Sequence, residues 1–251
     1  RSIDVPDMGC YEFVPTVSRV FNQTKGTGHY SLVGAYLQAS PNDVLAVTPG
    51  VYMSSREMLI TKSLTITSTT GISSDVIISG ENLYRLFNIN LISPNRQVTI
   101  SNVTLRDGYR SGVYGGGIYV TTGNLYLSNV RAVSNSVAAV TDLGGFMYLS
   151  SGQSVTLDNC LVSQNYAGGS GGGIYMNTRA VLSVIGSTFF ANTSNYATDT
   201  YGGGAIYQLG GTLNIWSSIF DSNYAARAGG MLYNDTAART FIYDSVITGN
   251  R

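Results

Sequence analysis

The chain has 251 residues; only 11% are charged, and 14 basic and 14 acidic side chains cancel. That balance offers no basic footprint for nucleic acid or an anionic membrane surface, and no run of 18 apolar residues could span a bilayer as a helix. One His and two Cys leave little for imidazole chemistry or a multi-ligand metal site, so no metal or cofactor is expected.

In chain order, residues 1–29 form an N-terminal closing or linking segment, and residues 30–251 form one domain. The segment contains Asp7, Met8, Gly9, Cys10, Tyr11, Glu12 and Phe13. His29 stands alone beside Gly28 and Tyr30 and reads as a loop or helix-cap residue. Residues 30–39 carry apolar side chains at helical spacing (Leu32, Ala35, Tyr36, Ala39) and run into Ser40-Pro41-Asn42-Asp43. This predicts a short helix covering the open end of a stack of strands. Those short strands are predicted first at residues 44–47, 48–52, 58–60, 64–67, 76–80 and 86–92, separated by turns.

From residue 98 onward the chain repeats. Gly115-Gly116-Gly117-Ile118-Tyr119 recurs in Gly144-Gly145-Phe146-Met147-Tyr148 and Gly171-Gly172-Gly173-Ile174-Tyr175. It recurs again in Gly203-Gly204-Ala205-Ile206-Tyr207 and Gly229-Gly230-Met231-Leu232-Tyr233, with Tyr-to-Tyr steps of 29, 27, 32 and 26 residues. A second block succeeds each one and ends on Asn135, Asn165, Asn192, Asn223 or Asn250. Within it Leu125/Leu127, Val155/Leu157, Leu182/Val184 and Leu213/Ile215 alternate with polar residues, the pattern of a strand with one buried face. Three short strands per repeat, with no hairpin signal between them, predict the coils of a right-handed parallel β-helix. About eight to nine coils are expected, with like residues stacked on like at roughly 4.8 Å. The Asn residues should form a hydrogen-bonded ladder and take the left-handed conformation where strands end. The tyrosines of the Gly-Gly blocks should form a second ladder, read as inward core stacking. Repeat length varies between the Asn and the next Gly-Gly block. Tyr166, Tyr196, Tyr201 and Tyr224 lie on that corner and are the candidate surface contacts.

Two family resemblances rest on these motifs. Residues 43–52, 60–66 and 76–80, including Thr48-Pro49-Gly50-Val51-Tyr52, resemble the opening coils of the pectin-lyase-like superfamily of right-handed β-helices. The later repeats are similar to those of chlamydial polymorphic outer membrane proteins, which carry Gly-Gly-Ala-Ile and Phe-x-x-Asn. Gly203-Gly204-Ala205-Ile206, Phe189-Phe190-Ala191-Asn192 and Phe220-Asp221-Ser222-Asn223 match, whereas Val162 and Ala132 replace the Phe elsewhere. Residues 7–13 resemble a segment that closes the C-terminal end of many bacterial secreted β-helices, yet here it lies at the N-terminus, and the last repeat has no closing segment after it. The resemblances imply an extracellular or cell-surface protein.

β-Helix polysaccharide enzymes need acids clustered on neighbouring coils. Asp158, Asp221 and Asp244 lie at related places in their repeats, but read more simply as turn residues bonding local backbone. Cys10 and Cys160 are expected to be free thiols, and of four Asn-x-Ser/Thr sequons Asn192 and Asn234 are the candidate glycan acceptors. The expected role is non-enzymatic: a structural or adhesive protein with glycans as possible partners. It would be a head-to-tail homo-oligomer, or one unit of a tandem array, with residues 7–13 capping a neighbour's open end. The alternative is a carbohydrate-active or carbohydrate-binding β-helix.

Overall fold

The computed structural model describes residues 19–112, 114–195 and 202–251, with Thr236 described by its backbone alone. The fold is an all-β parallel solenoid of about 7 turns with one short helix. This is fewer than the eight to nine coils expected.

The helix Leu32–Gln38 starts at Ser31, whose hydroxyl accepts from the Gly34 N–H, and it buries Leu32, Ala35 and Tyr36 as its spacing predicts. A hairpin of Val20–Asn22 and Thr27–His29 is not legible in the sequence. Val20–Asn22 pairs antiparallel with Val44–Val47, the first strand of the stack, and so occupies its edge. His29 therefore sits in a strand, 3% exposed, and the helix is capped by Ser31 instead.

Asp43 clasps this cap. Its buried carboxylate accepts from Asn22 Nδ2 at 2.6 Å and from the Ser40 N–H at 2.8 Å, with Lys25 Nζ at 3.5 Å. The Asn22 amide bond holds the carboxyl below its ordinary 3.8, against burial, with Ser40 and Lys25 adding to the lowering. A carboxyl lowered on folding stabilises the fold above its unfolded value and loses that contribution as pH falls through its folded one. Denaturation midpoints should therefore drop below pH 3.8 in the native chain. In Asp43→Asn this component of the fall should be absent; an unchanged acid profile would contradict the clasp.

Each full coil has four strands rather than the expected three. The Gly-Gly strands (Ile118–Thr122, Met147–Leu149, Ile174–Met176) make one face and the alternating strands (Asn124–Ser128, Ser154–Asp158, Val181–Ile185) a second. Both belong to one 15-stranded sheet, because Ile206–Trp216 and Leu232–Tyr243 run through the corner between them. A third face of 8 strands includes Arg131–Val133, Leu161–Ser163 and Thr188–Phe190. The fourth has 5 strands of two residues each, such as Tyr166–Ala167 and Tyr224–Ala225, on the corner where repeat length varies. The alternating strands stack in register, Leu125 on Val155 on Leu182 on Leu213 and Leu127 on Leu157 on Val184 on Ile215, while the register shifts between Val120 and Thr122 and between Gln208 and Gly210. These inward residues are essentially inaccessible and form one continuous core.

Three columns of left-handed backbone turn the corners. One is the first Gly of each block, with φ between 68° and 74° at Gly115, Gly144, Gly171, Gly203 and Gly229. A second runs through Asn102, Asn129, Asn159, Gly186, Ser217 and Asp244. The third holds Ser134, Gln164, Ala191, Ser222 and Gly249, each just before a ladder Asn. The left-handed residue is thus the neighbour of the Asn, not the Asn itself as expected. The Asn side chain instead bonds backward and forward across coils and holds that neighbour in its unfavourable conformation.

Candidate interaction surfaces

The Asn ladder is complete. Nδ2 of Asn135, Asn165, Asn192 and Asn223 donates to Oδ1 of the next Asn at 3.1, 2.8, 2.8 and 2.8 Å. The same Oδ1 atoms accept the backbone N–H of the Asn before them. The second hydrogen of each amide goes to a carbonyl one coil back, such as Val162 O for Asn192. The Oδ1 atoms therefore face the N-terminal end, and in Asn135, Asn165, Asn192 and Asn223 one amide hydrogen faces the C-terminal end while the other reaches back. Asn192 is 0% exposed and fully engaged, which corrects its reading as a glycan acceptor: the folded chain does not present it. Asn234 is exposed, bonded to Thr240 Oγ1.

The tyrosine column lies outside the solenoid lumen, contrary to the inward expectation. Strand alternation decides this: Ile118 and Val120 enter the core, so Tyr119 between them faces out. Tyr148, Tyr175, Tyr207 and Tyr233 stack at 5.1, 4.7 and 5.1 Å, nearly parallel. Tyr148, Tyr175 and Tyr207 still form a buried cluster, since each ring covers the next, with the partly buried Tyr119, Leu143, Leu209 and Tyr233 packed against them. Burial, then Tyr114 and Tyr119, push the Tyr148 hydroxyl up to about 12. Arg85, itself buried, closes the column's N-terminal side over Tyr119 at 5.2 Å, paired with Glu57. A column so covered is a packing device and offers no flat aromatic platform to a sugar.

Of the corner tyrosines, Tyr224 is 47% exposed, while Tyr166 is half-buried and its hydroxyl accepts from Asn195 Nδ2. They share one outward column but Thr193 separates them, so they do not stack. Tyr196 and Tyr201 lie outside the described residues, as do Asp7, Met8, Gly9, Cys10, Tyr11, Glu12 and Phe13. Cys160 is a free, buried thiol, pushed up to about 11 chiefly by burial. It heads a column that the repeats alone do not single out: the N–H of Cys160, Ser187 and Ser218 each donates to the Ser Oγ one coil on. The members Cys160, Ser187, Ser218 and Ser245 all stand five residues before a ladder Asn, which is the signal by which the sequence could have shown them.

The acids do not converge. Asp158 accepts the Tyr126 hydroxyl at 2.6 Å and stacks beside Ile185; Asp221 stacks beside Thr248; Asp244 is a corner residue. Among the described residues no three His, Cys, Asp or Glu side chains gather as a metal site would require.

The two ends of the stack differ. At the N-terminal end the hairpin and helix leave Leu45 and Val47 at 0% exposure. At the other end Leu232–Tyr243 pairs with Ile206–Trp216, and Val246–Thr248 pairs with Ile219–Asp221, each on one side only among the described residues. Ile242 lies over Ile215 and Ile247 over Phe220, yet they are 40% and 50% exposed where their partners are 0%. Phe241, Tyr243 and Val246 add to this apolar end. No helix among the described residues is long and apolar enough to cross a membrane. Comparison with protein-family models, curated proteins and solved structures found no match to this chain.

Proposed function

We propose that this chain is a non-enzymatic structural or adhesive β-solenoid of the extracellular space or cell surface, related to the pectin-lyase-like β-helices. Its copies join head to tail, residues 7–13 of one copy capping the last coil of another. The observation that supports this reading is the edge formed by Leu232–Tyr243 and Val246–Thr248, each paired on one side among the described residues, with Ile242 and Ile247 40% and 50% exposed. A parallel edge with apolar residues is a template for an added strand.

Reach decides whether the strand comes from the same copy. The first strand, Val20–Asn22, is eight strand spacings from Leu232–Tyr243 along the shared sheet, roughly 38 Å at strand spacing. Phe13 is six residues from Arg19 and can lie at most about 20 Å from it. Phe13 therefore falls short of its own last coil, and we take residues 7–13 together to cap another copy. Such a contact is heterologous, and repeated without closure it gives a filament.

Sedimentation tests this directly. The intact chain should associate with concentration, and a chain lacking residues 1–14 should stay monomeric with unchanged circular dichroism. An intact chain that stays monomeric at high micromolar concentration, or a truncated one that associates equally well, overturns the proposal.

A further inference from the structure

Independently of end capping, we infer that a cleft beside the first coils binds a small hydroxylated oxyanion, with Arg96 as the group that takes its charge. The cleft measures about 460 Å³ and is lined by Pro41, Asn42, Ser63, Asn95, Arg96 and Gln97. Asn42 and Ser63 stand just before the neighbouring strands Val44–Val47 and Leu64–Ser68, and Gln97 opens the next one, Gln97–Ser101. The loop 91–96 supplies the remaining wall. Closing the coil does not need it: one coil on, Gly123 alone makes the same turn between Ile118–Thr122 and Asn124–Ser128. The loop is nevertheless fixed at both ends. Leu91 is buried and its N–H donates to Thr122 O, while Arg96 O accepts the Asn124 N–H. Between them the Ser93 carbonyl accepts the Arg96 N–H and closes a tight turn. Loops longer than packing requires, held on a rigid scaffold, are where binding groups concentrate.

The polar side chains on this cleft have no task in the fold. Those of Asn42, Ser63, Asn95 and Arg96 make no hydrogen bond or ion pair among the described residues. Gln97 uses only its Nε2, on Thr99 Oγ1. No acid lines the cleft. Asp43, beside Asn42, is buried and already engaged by Asn22, Ser40 and Lys25. Lys62, beside Ser63, adds positive charge nearby while its Nζ donates to Tyr36 O and Ala39 O. The cleft thus gathers one guanidinium, three amides and a hydroxyl around an apolar Pro41. A guanidinium takes an oxyanion through two parallel N–H bonds, and the amides and hydroxyl suit hydroxyl groups on the same ligand. The volume lies toward the lower end of small-molecule pockets, roughly 300–1,000 Å³. It suits a single sugar phosphate or polyol carboxylate.

The test is an NMR titration of the full chain with glucose 6-phosphate, gluconate and glucose at millimolar concentrations. Saturating amide shifts should appear at residues 42, 63 and 95–97 with one or both anions, and the tighter of the two names the oxyanion. Glucose, which has the hydroxyls but no charge, should shift these amides far less, and added salt should weaken the anion's binding. Arg96→Gln should lower affinity about tenfold or more. Its thermal midpoint should stay that of the native chain, because the guanidinium holds nothing in the fold. Absence of shifts with both anions, equal shifts with glucose, or native affinity in Arg96→Gln overturns the inference.

Discussion

Asn192→Leu should be among the most destabilising single substitutions in the chain. Leucine is similar in size, so the loss is one of hydrogen bonding rather than volume. Asn192 Oδ1 accepts from the Asn165 backbone and amide nitrogens, and its Nδ2 donates to Val162 O and Asn223 Oδ1. All of these groups are buried. The substitution strands two donors and leaves two acceptors short. Each unsatisfied buried group costs about 1–3 kcal/mol, so the two donors alone imply about 2–6 kcal/mol. That is a large part of the roughly 5–15 kcal/mol typical of a folded domain. The left-handed turn at Ala191, which has neither Gly nor Asn to favour it, also loses its brace. Urea unfolding should show the fall; a change below about 1 kcal/mol would mean the ladder is decoration rather than structure.

Gly145→Ala should lose about 1–3 kcal/mol or more although it adds one carbon. The new Cβ would stand 2.2 Å from Gly172 O and 2.6 Å from Tyr166 O, both backbone atoms of the next coil. Neither can swing away without opening the stack. Gly152 gives the contrast: its φ is 76° but a Cβ there meets nothing within 4 Å. Gly152→Ala should therefore show only the left-handed penalty of about 1–2 kcal/mol. Thermal unfolding of the pair separates the two causes. The first Gly of each block is required by its dihedral and by the carbonyl three residues on, the second by the closeness of the neighbouring coil.

The ladder and the Gly blocks also explain what is legible in the sequence. Repetition exposes the coils, the core residues and the Asn ladder, because stacked residues must resemble one another. It does not expose the hairpin Val20–Asn22 with Thr27–His29, which occurs once and has no repeat to betray it. The fourth face escapes because two-residue strands carry no alternation to read. The left-handed corner falls to the Asn in a sequence reading because its true occupants, Ser134, Gln164, Ala191 and Ser222, have no common preference for that conformation. The tyrosines read as inward because burial suggests the lumen, yet a ring can be buried on the outer face by its own neighbours in the column.

The most direct measurement is hydrogen exchange of the intact chain at low and high concentration. If the last coil receives another copy's segment, amides of Leu232–Tyr243 and Val246–Thr248 should gain protection as concentration rises. The covered first coil, Val44–Val47, should not change. Exchange in residues 232–248 that is independent of concentration would contradict end capping between copies.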